Sequence, residues 1–360
     1  MSTELYKKLR ERLDKFPQGF PETKSGVEID ILKELFTAEE AEMMFHLRPH
    51  PEAVATIADR SGKDEKAVGE MLYQMSRKGL ILRYKASPQE VYYFLTPWMI
   101  GIWEFQVNRL TPENIRLYEQ FYEEGMGPLA KKKNVAGFRA IPIEKEIKES
   151  SEIEPFERVS AIIENQARFA VGECICRKES RMAGHGCDKL LEACLSFGPA
   201  ADYLIENGCA REITKEEAKQ VLAKAEEDGL IHFSSNHKGD KIFICNCCGC
   251  CCKALAHMNK YGNAKIIAQS NYYAVLDAET CTACETCVQR CQVSAIEMGE
   301  ESATIDRTRC IGCGLCVSTC PTASIAMRRK DPEKQSPVYA DNQEFMQALS
   351  EDLNKPLPFD

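Results

Sequence analysis

The sequence predicts an α+β protein of three units in series, and three observations carry that prediction. Residues 37–97 show helical apolar spacing that gives way to a strand, a turn and a second strand. Cysteine is absent from residues 1–173 and then occurs eleven times between 174 and 252, and the last eight cysteines form two copies of one spacing 29 residues apart. The chain thus divides into helices closed by a hairpin (1–100), a helical connector (101–154), a cysteine-rich α/β unit (155–271), a small duplicated unit (272–329) and a tail (330–360).

Composition narrows the setting. With 44% apolar and 28% charged residues the chain reads as an ordinary water-borne protein. No apolar run is long enough to span a membrane, and Met1-Ser2-Thr3-Glu4-Leu5 lacks the basic-then-apolar character of a signal peptide, so a cytoplasmic protein is expected. Nineteen cysteines would scramble as disulfides in an oxidising compartment, whereas a reducing cytosol keeps thiolates free for metal. An anaerobic host follows from the same count. A formal charge of −9 argues against nucleic acid or acidic lipid as a general partner.

Thr37-Ala38-Glu39-Glu40 starts a helix by a capping box, Pro51 to Ala58 gives a second, and Lys63 to Lys78 a third with Val68, Leu72 and Met75 on one face. Gly79-Leu80-Ile81 ends that helix and opens a strand, and Ala86-Ser87-Pro88 turns it into Val91-Tyr92-Tyr93-Phe94-Leu95. The order resembles winged helix-turn-helix domains. Residues 1–100 carry 15 Lys and Arg against 16 Asp and Glu, and the third helix begins Lys63-Asp64-Glu65-Lys66, a poor match to phosphates. A winged-helix-like domain that docks protein is therefore expected. Trp98 and Trp103 read as core, Pro112 to Gly125 as a helix, and Lys131-Lys132-Lys133 as a solvated run.

The central unit holds two cysteine groups. The first is Cys174-x-Cys176-Arg177 with Cys187 and Cys194, after the strand-like Phe169-Ala170-Val171; four cysteines over about twenty residues suit one tetrahedral or cubane site. The second, Cys245-Asn246-Cys247-Cys248-Gly249-Cys250-Cys251-Cys252, lies between strand-like Lys241 to Ile244 and helix-like Lys253 to His257. Neighbouring cysteines point different ways on a regular backbone, so two to four are expected to ligate while the rest pack. Thr214 with Glu217 starts an intervening helix that stops at Asp228-Gly229 and brings the groups together. The expectation is a third metal centre drawn from these ten cysteines, an iron–sulfur cluster with structural zinc or inert packed thiols as rivals. The two-cysteine-glycine chemistry of heterodisulfide reductases, hinted at by Cys247-Cys248-Gly249, lacks its repeated spacing here. His185, beside Cys187, reads as solvated, His257 and His232 (on a strand edge) as packing, and Cys209 as an unligated core thiol. Arg177 is either a donor to a cluster or an exposed ion-pairing residue.

The duplicated unit runs Cys281-x-x-Cys284-x-x-Cys287-x-x-x-Cys291 and Cys310-x-x-Cys313-x-x-Cys316-x-x-x-Cys320-Pro321. Leu276-Asp277 matches Ile305-Asp306, and Ser294-Ala295-Ile296 matches Ala323-Ser324-Ile325, at the same offset, as an internal duplication requires. Zinc sites do not call for a third cysteine at this spacing followed by a fourth after three intervening residues. The motif resembles the bacterial dicluster ferredoxins, which implies a pseudo-twofold domain of short strands and ligand loops with two [4Fe-4S] clusters. By that resemblance Cys281, Cys284, Cys287 and Cys320 hold one cluster, and Cys310, Cys313, Cys316 and Cys291 the other. Gln292 replaces the proline that usually follows the fourth cysteine, so local hydrogen bonding to sulfur should differ there.

Residues 155–330 together resemble a group of iron–sulfur proteins of anaerobic bacteria, which implies electron transfer; the function expected is the passage of low-potential electrons between partner redox proteins. No nucleophile with its base, phosphate loop or dinucleotide fingerprint is present, so no small-molecule substrate is evident. The protein reads as an electron carrier or the electron-transfer subunit of an oxidoreductase complex. The alternatives are a redox-sensing transcription regulator and a catalytic reductase subunit with an open-site central cluster. In the tail, Pro332, Pro337, Pro356 and Pro358 surround one helical stretch, Asn342 to Leu353.

Overall fold

Helices α1 (Ser2–Asp14), α2 (Val27–Leu35) and α3 (Ala38–Met43) begin the computed structural model, which describes residues 2–147, 153–262 and 264–355. Residues 148–152 of the connector and the tail prolines Pro356 and Pro358 therefore lie outside the described residues. The expected capping box is present: Thr37 accepts from the Glu40 amide, and the Glu40 carboxylate accepts from that of Thr37. Leu9, Leu13, Ile31, Leu32 and Met43 are fully buried on the facing stripes. The second expected helix starts later than its sequence indicates. Glu52–Ala53 forms strand β1 against Tyr92 and Tyr93, and α4 runs Val54–Ser61, because cross-strand pairing holds the two residues after Pro51 extended. Helix α5 (Glu65–Arg77) is capped by Asp64 and buries Val68, Leu72 and Met75. The hairpin β2 (Leu82–Lys85) and β3 (Val91–Phe94) completes a three-stranded sheet in the order β1-β3-β2.

Trp98 and Trp103 are buried in the same core, followed by α6 (Pro112–Phe121) and α7 (Gly127–Lys132). Lys133 is not solvated like its neighbours: its ammonium donates to the Gln18 carbonyl at 3.1 Å, and burial lowers its pKa to about 8. The connector, expected to be helical, also supplies strand β4 (Phe138–Ile141) to a sheet of the central unit.

That unit contributes α8 (Val159–Glu164), β5 (Phe169–Glu173), α9 (Ile175–Met182), β6 (Glu192–Phe197), α10 (Gly198–Glu206), β7 (Ala210–Glu212), α11 (Lys215–Glu227), β8 (Ile231–Ser235), β9 (Phe243–Cys247), α12 (Lys253–Tyr261) and β10 (Ile267–Ala268). The sheet order is β10-β4-β8-β9-β6-β5-β7, antiparallel except where β10 meets β4. Thr214 caps α11 through the Glu217 amide, while the Glu217 carboxylate pairs with Arg211 at 2.6 Å. His232 lies in β8 between β4 and β9, fully enclosed, rather than on a strand edge. Period-2 alternation sorts the sheet's faces: Val171, Leu195 and Ile244 pack with Leu222 of α11 in one apolar core, leaving Cys194, Cys245 and Cys247 for the opposite side.

The duplicated unit pairs β11 (Tyr272–Leu276) with the last strand, Ile325–Arg329, and joins Ile296–Met298 to Ala303–Ile305 as a hairpin. In chain order α13 (Thr286–Arg290), β12 (Ile296–Met298), β13 (Ala303–Ile305) and β14 (Ile325–Arg329) complete it. Its core is continuous with Ile231, Phe233 and Leu255 of the central unit. The buried pair Arg139–Glu157, 2.6 Å apart, ties strand β4 of the connector to the central unit. Arg139 also donates to Asn236, Gln269 O, Ser336 O and Pro337 O, and Glu157 accepts from the Asn271 amide. The tail helix α14 (Asn342–Asp352) docks back on the amino-terminal half, with Asp352 accepting from the Asn134 and Val135 amides and Lys355 donating to Asp14.

Candidate metal centres

In the duplicated unit, strand pairing crosses the two halves and carries the cysteines with it. One cavity is lined by Cys281, Cys284 and Cys287 together with Cys320. Another is lined by Cys310, Cys313 and Cys316 together with Cys291. The duplication extends to backbone conformation. Ala283, Glu285 and Ser294 have positive φ, and so do Gly312, Gly314 and Ala323 at the 29-residue offset. Left-handed backbone is costly for residues with a Cβ, so its recurrence at Ala283 and Glu285 shows that loop geometry, not residue preference, dictates the shape. Cys291 Sγ accepts from the Ala295 amide at 3.2 Å, and Cys320 Sγ from the Ser324 amide at 3.3 Å, again at the same offset. These open cavities fringed by thiols and N–H donors fit iron–sulfur clusters. Gln292 bonds elsewhere than to sulfur: its side chain accepts from the Gly249 amide at 2.8 Å and its carbonyl from Asn259 Nδ2 at 2.9 Å.

The central cysteines separate into two sets. Six form a closed ring of thiol contacts, Cys174 to Cys176, Cys252, Cys247, Cys245, Cys194 and back to Cys174. Register explains the membership. Gly172 pairs with Cys194 and Leu195 with Ile244, which sets Cys194 beside Cys245, and Cys247 follows two residues on, on the same face. Cys174 stands at the N-terminal boundary of α9 and Cys252 at that of α12. Both helix dipoles thus present their positive ends to the ring, which favours thiolate there. Hydrogen bonds between neighbouring thiols draw some members, Cys174 and Cys252 among them, well below the ordinary thiol range while their neighbours are pushed up. The other set, Cys187, Cys248, Cys250 and Cys251, converges within 4.8 Å.

Two expectations change. Cys174, Cys176, Cys187 and Cys194 do not make one site, because Cys187 lies on the loop beyond α9 and joins the second set. The six thiols in 245–252 divide by side: Cys245, Cys247 and Cys252 face the ring, while Cys248, Cys250 and Cys251 face Cys187. Arg177 is wholly buried rather than surface-exposed. It donates to Leu190 O and Asn246 O and lies against Cys174 and Cys248. His185 is exposed and contacts Glu119 at 2.7 Å. His257 packs against Tyr261, and Cys209 lies near Phe105 O, apart from both sets.

Beside the ring are groups that the sequence does not single out. Glu104, whose pKa burial pushes up to about 8, faces Cys245 and Cys174. Tyr122 faces Cys252 and Cys176. Lys253 pairs with Glu179 at 2.6 Å, and Glu179 also accepts from Trp103 Nε1. Nothing in their spacing points to the cysteines; the fold brings them from the connector and from α9 and α12.

A family model for the 4Fe-4S dicluster domain matches residues 274–327. No curated protein and no solved structure matches the chain. Among the described residues no helix is long and apolar enough to cross a membrane.

Proposed function

We propose that this protein carries low-potential electrons between partner redox proteins of an anaerobic cytoplasm, through two [4Fe-4S] clusters and a third iron–sulfur centre. The observation that carries the reading is the pair of cavities, each lined by three cysteines of one run and the fourth of the other. Cys281, Cys284, Cys287 and Cys320 are the ligands of one cluster, and Cys310, Cys313, Cys316 and Cys291 those of its neighbour. Such clusters, when bound, supply one-electron exchange without bond making. The protein's own part is to supply thiolates, N–H donors to sulfur and an apolar surround that sets potential. The third centre belongs to the six-thiol ring, where two helix N-termini offset anionic charge. Gln292 and Gly249 link the second central set to the loop holding Cys291.

The amino-terminal helices and hairpin are read as a winged-helix-like docking domain. The exposed start of α5 carries Asp64 and Glu65, and its hairpin is engaged by α10, where Arg83 and Lys85 pair with Glu206. The reductase reading draws support from Glu104, a half-buried carboxyl whose pKa is raised by desolvation and by the thiols of Cys245 and Cys174.

The decisive experiment is the iron content of protein purified without oxygen. More than the roughly eight atoms of two cubanes is expected. The excess should vanish in the Cys174→Ser/Cys176→Ser/Cys245→Ser/Cys247→Ser variant while reduced-state EPR of the terminal domain persists. Iron stopping at eight in the unaltered protein would remove the third centre.

A further inference from the structure

Cys187, Cys248, Cys250 and Cys251 stand apart from the ring in geometry as well as membership. Cys187 Sγ lies 3.7 Å from Cys248 Sγ and 3.8 Å from Cys251 Sγ, and Cys250 Sγ lies 3.6 Å from Cys251 Sγ. All four sulfurs are within 4.8 Å of one another. Four thiolates sharing one ion at about 2.3 Å define a tetrahedron with an edge of about 3.8 Å. A cubane puts each thiolate on a different iron and spreads the sulfurs further. The terminal unit illustrates the contrast, since its cysteines surround cavities instead of touching.

Both loops are fixed by contacts that owe nothing to metal. Arg181 donates to Cys187 O at 2.7 Å and Lys189 O at 2.6 Å, and the Leu190 amide donates to Asp228. On the other side the Gly249 amide donates to Gln292, and Asn259 donates to Gly249 O at 3.2 Å. The buried Arg177 guanidinium lies against Cys248 and opposes the net negative charge of four thiolates around a divalent ion.

We infer that Cys187, Cys248, Cys250 and Cys251 bind a single zinc ion as a closed tetrathiolate site, separate from the six-thiol ring. Zinc has no redox step and no geometric demand beyond the tetrahedron, which suits a site with Cys250 exposed to solvent. Its role is structural: it cross-links the Cys187 loop to the turn between β9 and α12, two segments that their own hydrogen bonds already hold in place. The inference stands whether or not the ring holds iron.

Zinc K-edge X-ray absorption of the full-length protein, purified without oxygen, tests it. About one zinc per chain is expected, with four sulfur neighbours at about 2.3 Å. Cys251→Ser and Cys187→Ser should each lower zinc at least fivefold with iron and terminal-domain EPR unchanged, whereas Cys174→Ser should leave zinc in place. Absence of zinc, a zinc shell containing nitrogen or oxygen, or zinc loss in Cys174→Ser would each overturn the assignment. So would a loss of iron in Cys251→Ser, about four atoms marking a cubane and one marking mononuclear iron. The absorption measurement on unaltered protein decides the matter even if the serine variants fail to fold.

Discussion

The Gln292 side chain accepts the Gly249 amide at 2.8 Å, so the one departure from the expected motif is the contact on which the cysteine-rich turn rests. A proline at 292 offers no such acceptor. Gly249 is equally constrained, because a Cβ there would run into the Gln292 carbonyl.

Gly249→Ala should therefore lift the turn off the terminal unit at a cost of about 1–3 kcal/mol, the usual range for overpacking. A lower thermal midpoint is expected, with altered EPR from the cluster that includes Cys291 and an unchanged signal from the cluster that includes Cys320. Gln292→Pro should act in the same direction by about 1 kcal/mol, the value of one lost hydrogen bond. Equal perturbation of both clusters would show that the contact is not local.

The proposed crossed ligation gives a second expectation. Cys291 belongs by sequence to the first run but lines the cavity of Cys310, Cys313 and Cys316. Cys291→Ser should perturb that cluster and spare the one completed by Cys320. Reduced-state EPR showing the reverse would refute the ligand sets.

The buried pair Arg139–Glu157 should be costly to break. Both side chains are almost fully enclosed, and Arg139 reaches four further acceptors. Glu157→Ala leaves a buried guanidinium without its carboxylate and the Asn271 amide without an acceptor, a loss of about 3–5 kcal/mol. Replacing both partners with methionine should cost less than the single change, as read from thermal midpoints. A double variant worse than the single would mean that the carbonyl contacts of Arg139, not its charge, matter most.

DNA affinity separates docking from regulation. With 15 basic and 16 acidic residues over 1–100, non-specific binding to duplex should be negligible at physiological salt. Tight retention of the full chain on DNA, weakening steeply as salt rises, would promote the regulator reading.

The sequence discloses those parts whose physics is local. Thr37 and Thr214 cap helices where expected, and a 29-residue repeat fixes eight cysteines, because caps and ligand loops depend on near neighbours. The sorting of ten of the other eleven cysteines into two sets is not local. It depends on β9 lying beside β6 and β6 beside β5, an order that no spacing within 174–252 encodes. One clue was available: Cys245 and Cys247 alternate with Ile244 and Asn246, the period of a strand with two unlike faces. Arg177 and Glu104 carry no such clue, since their burial comes from elements distant in sequence.

His237 supplies the last expectation, for the docking of the tail. It is buried, contacts Ser235 through Nε2 at 2.8 Å and lies 6.0 Å from the Phe345 ring of α14. Lys238 N donates to Tyr339 O next to it. Burial, reinforced by Lys241, lowers the His237 pKa to about 4, with Asp240 and Asp341 opposing. The folded chain thus binds this proton more weakly than the unfolded chain, whose imidazole has a pKa of about 6.5. The contribution to stability is fully present above about pH 6.5 and is lost as pH falls through the window toward 4, by at most about 3 kcal/mol. Protection factors of α14, corrected for the intrinsic pH dependence of amide exchange, should fall across that window, and His237→Gln should flatten the dependence. Identical pH profiles for the two proteins would remove His237 as the cause.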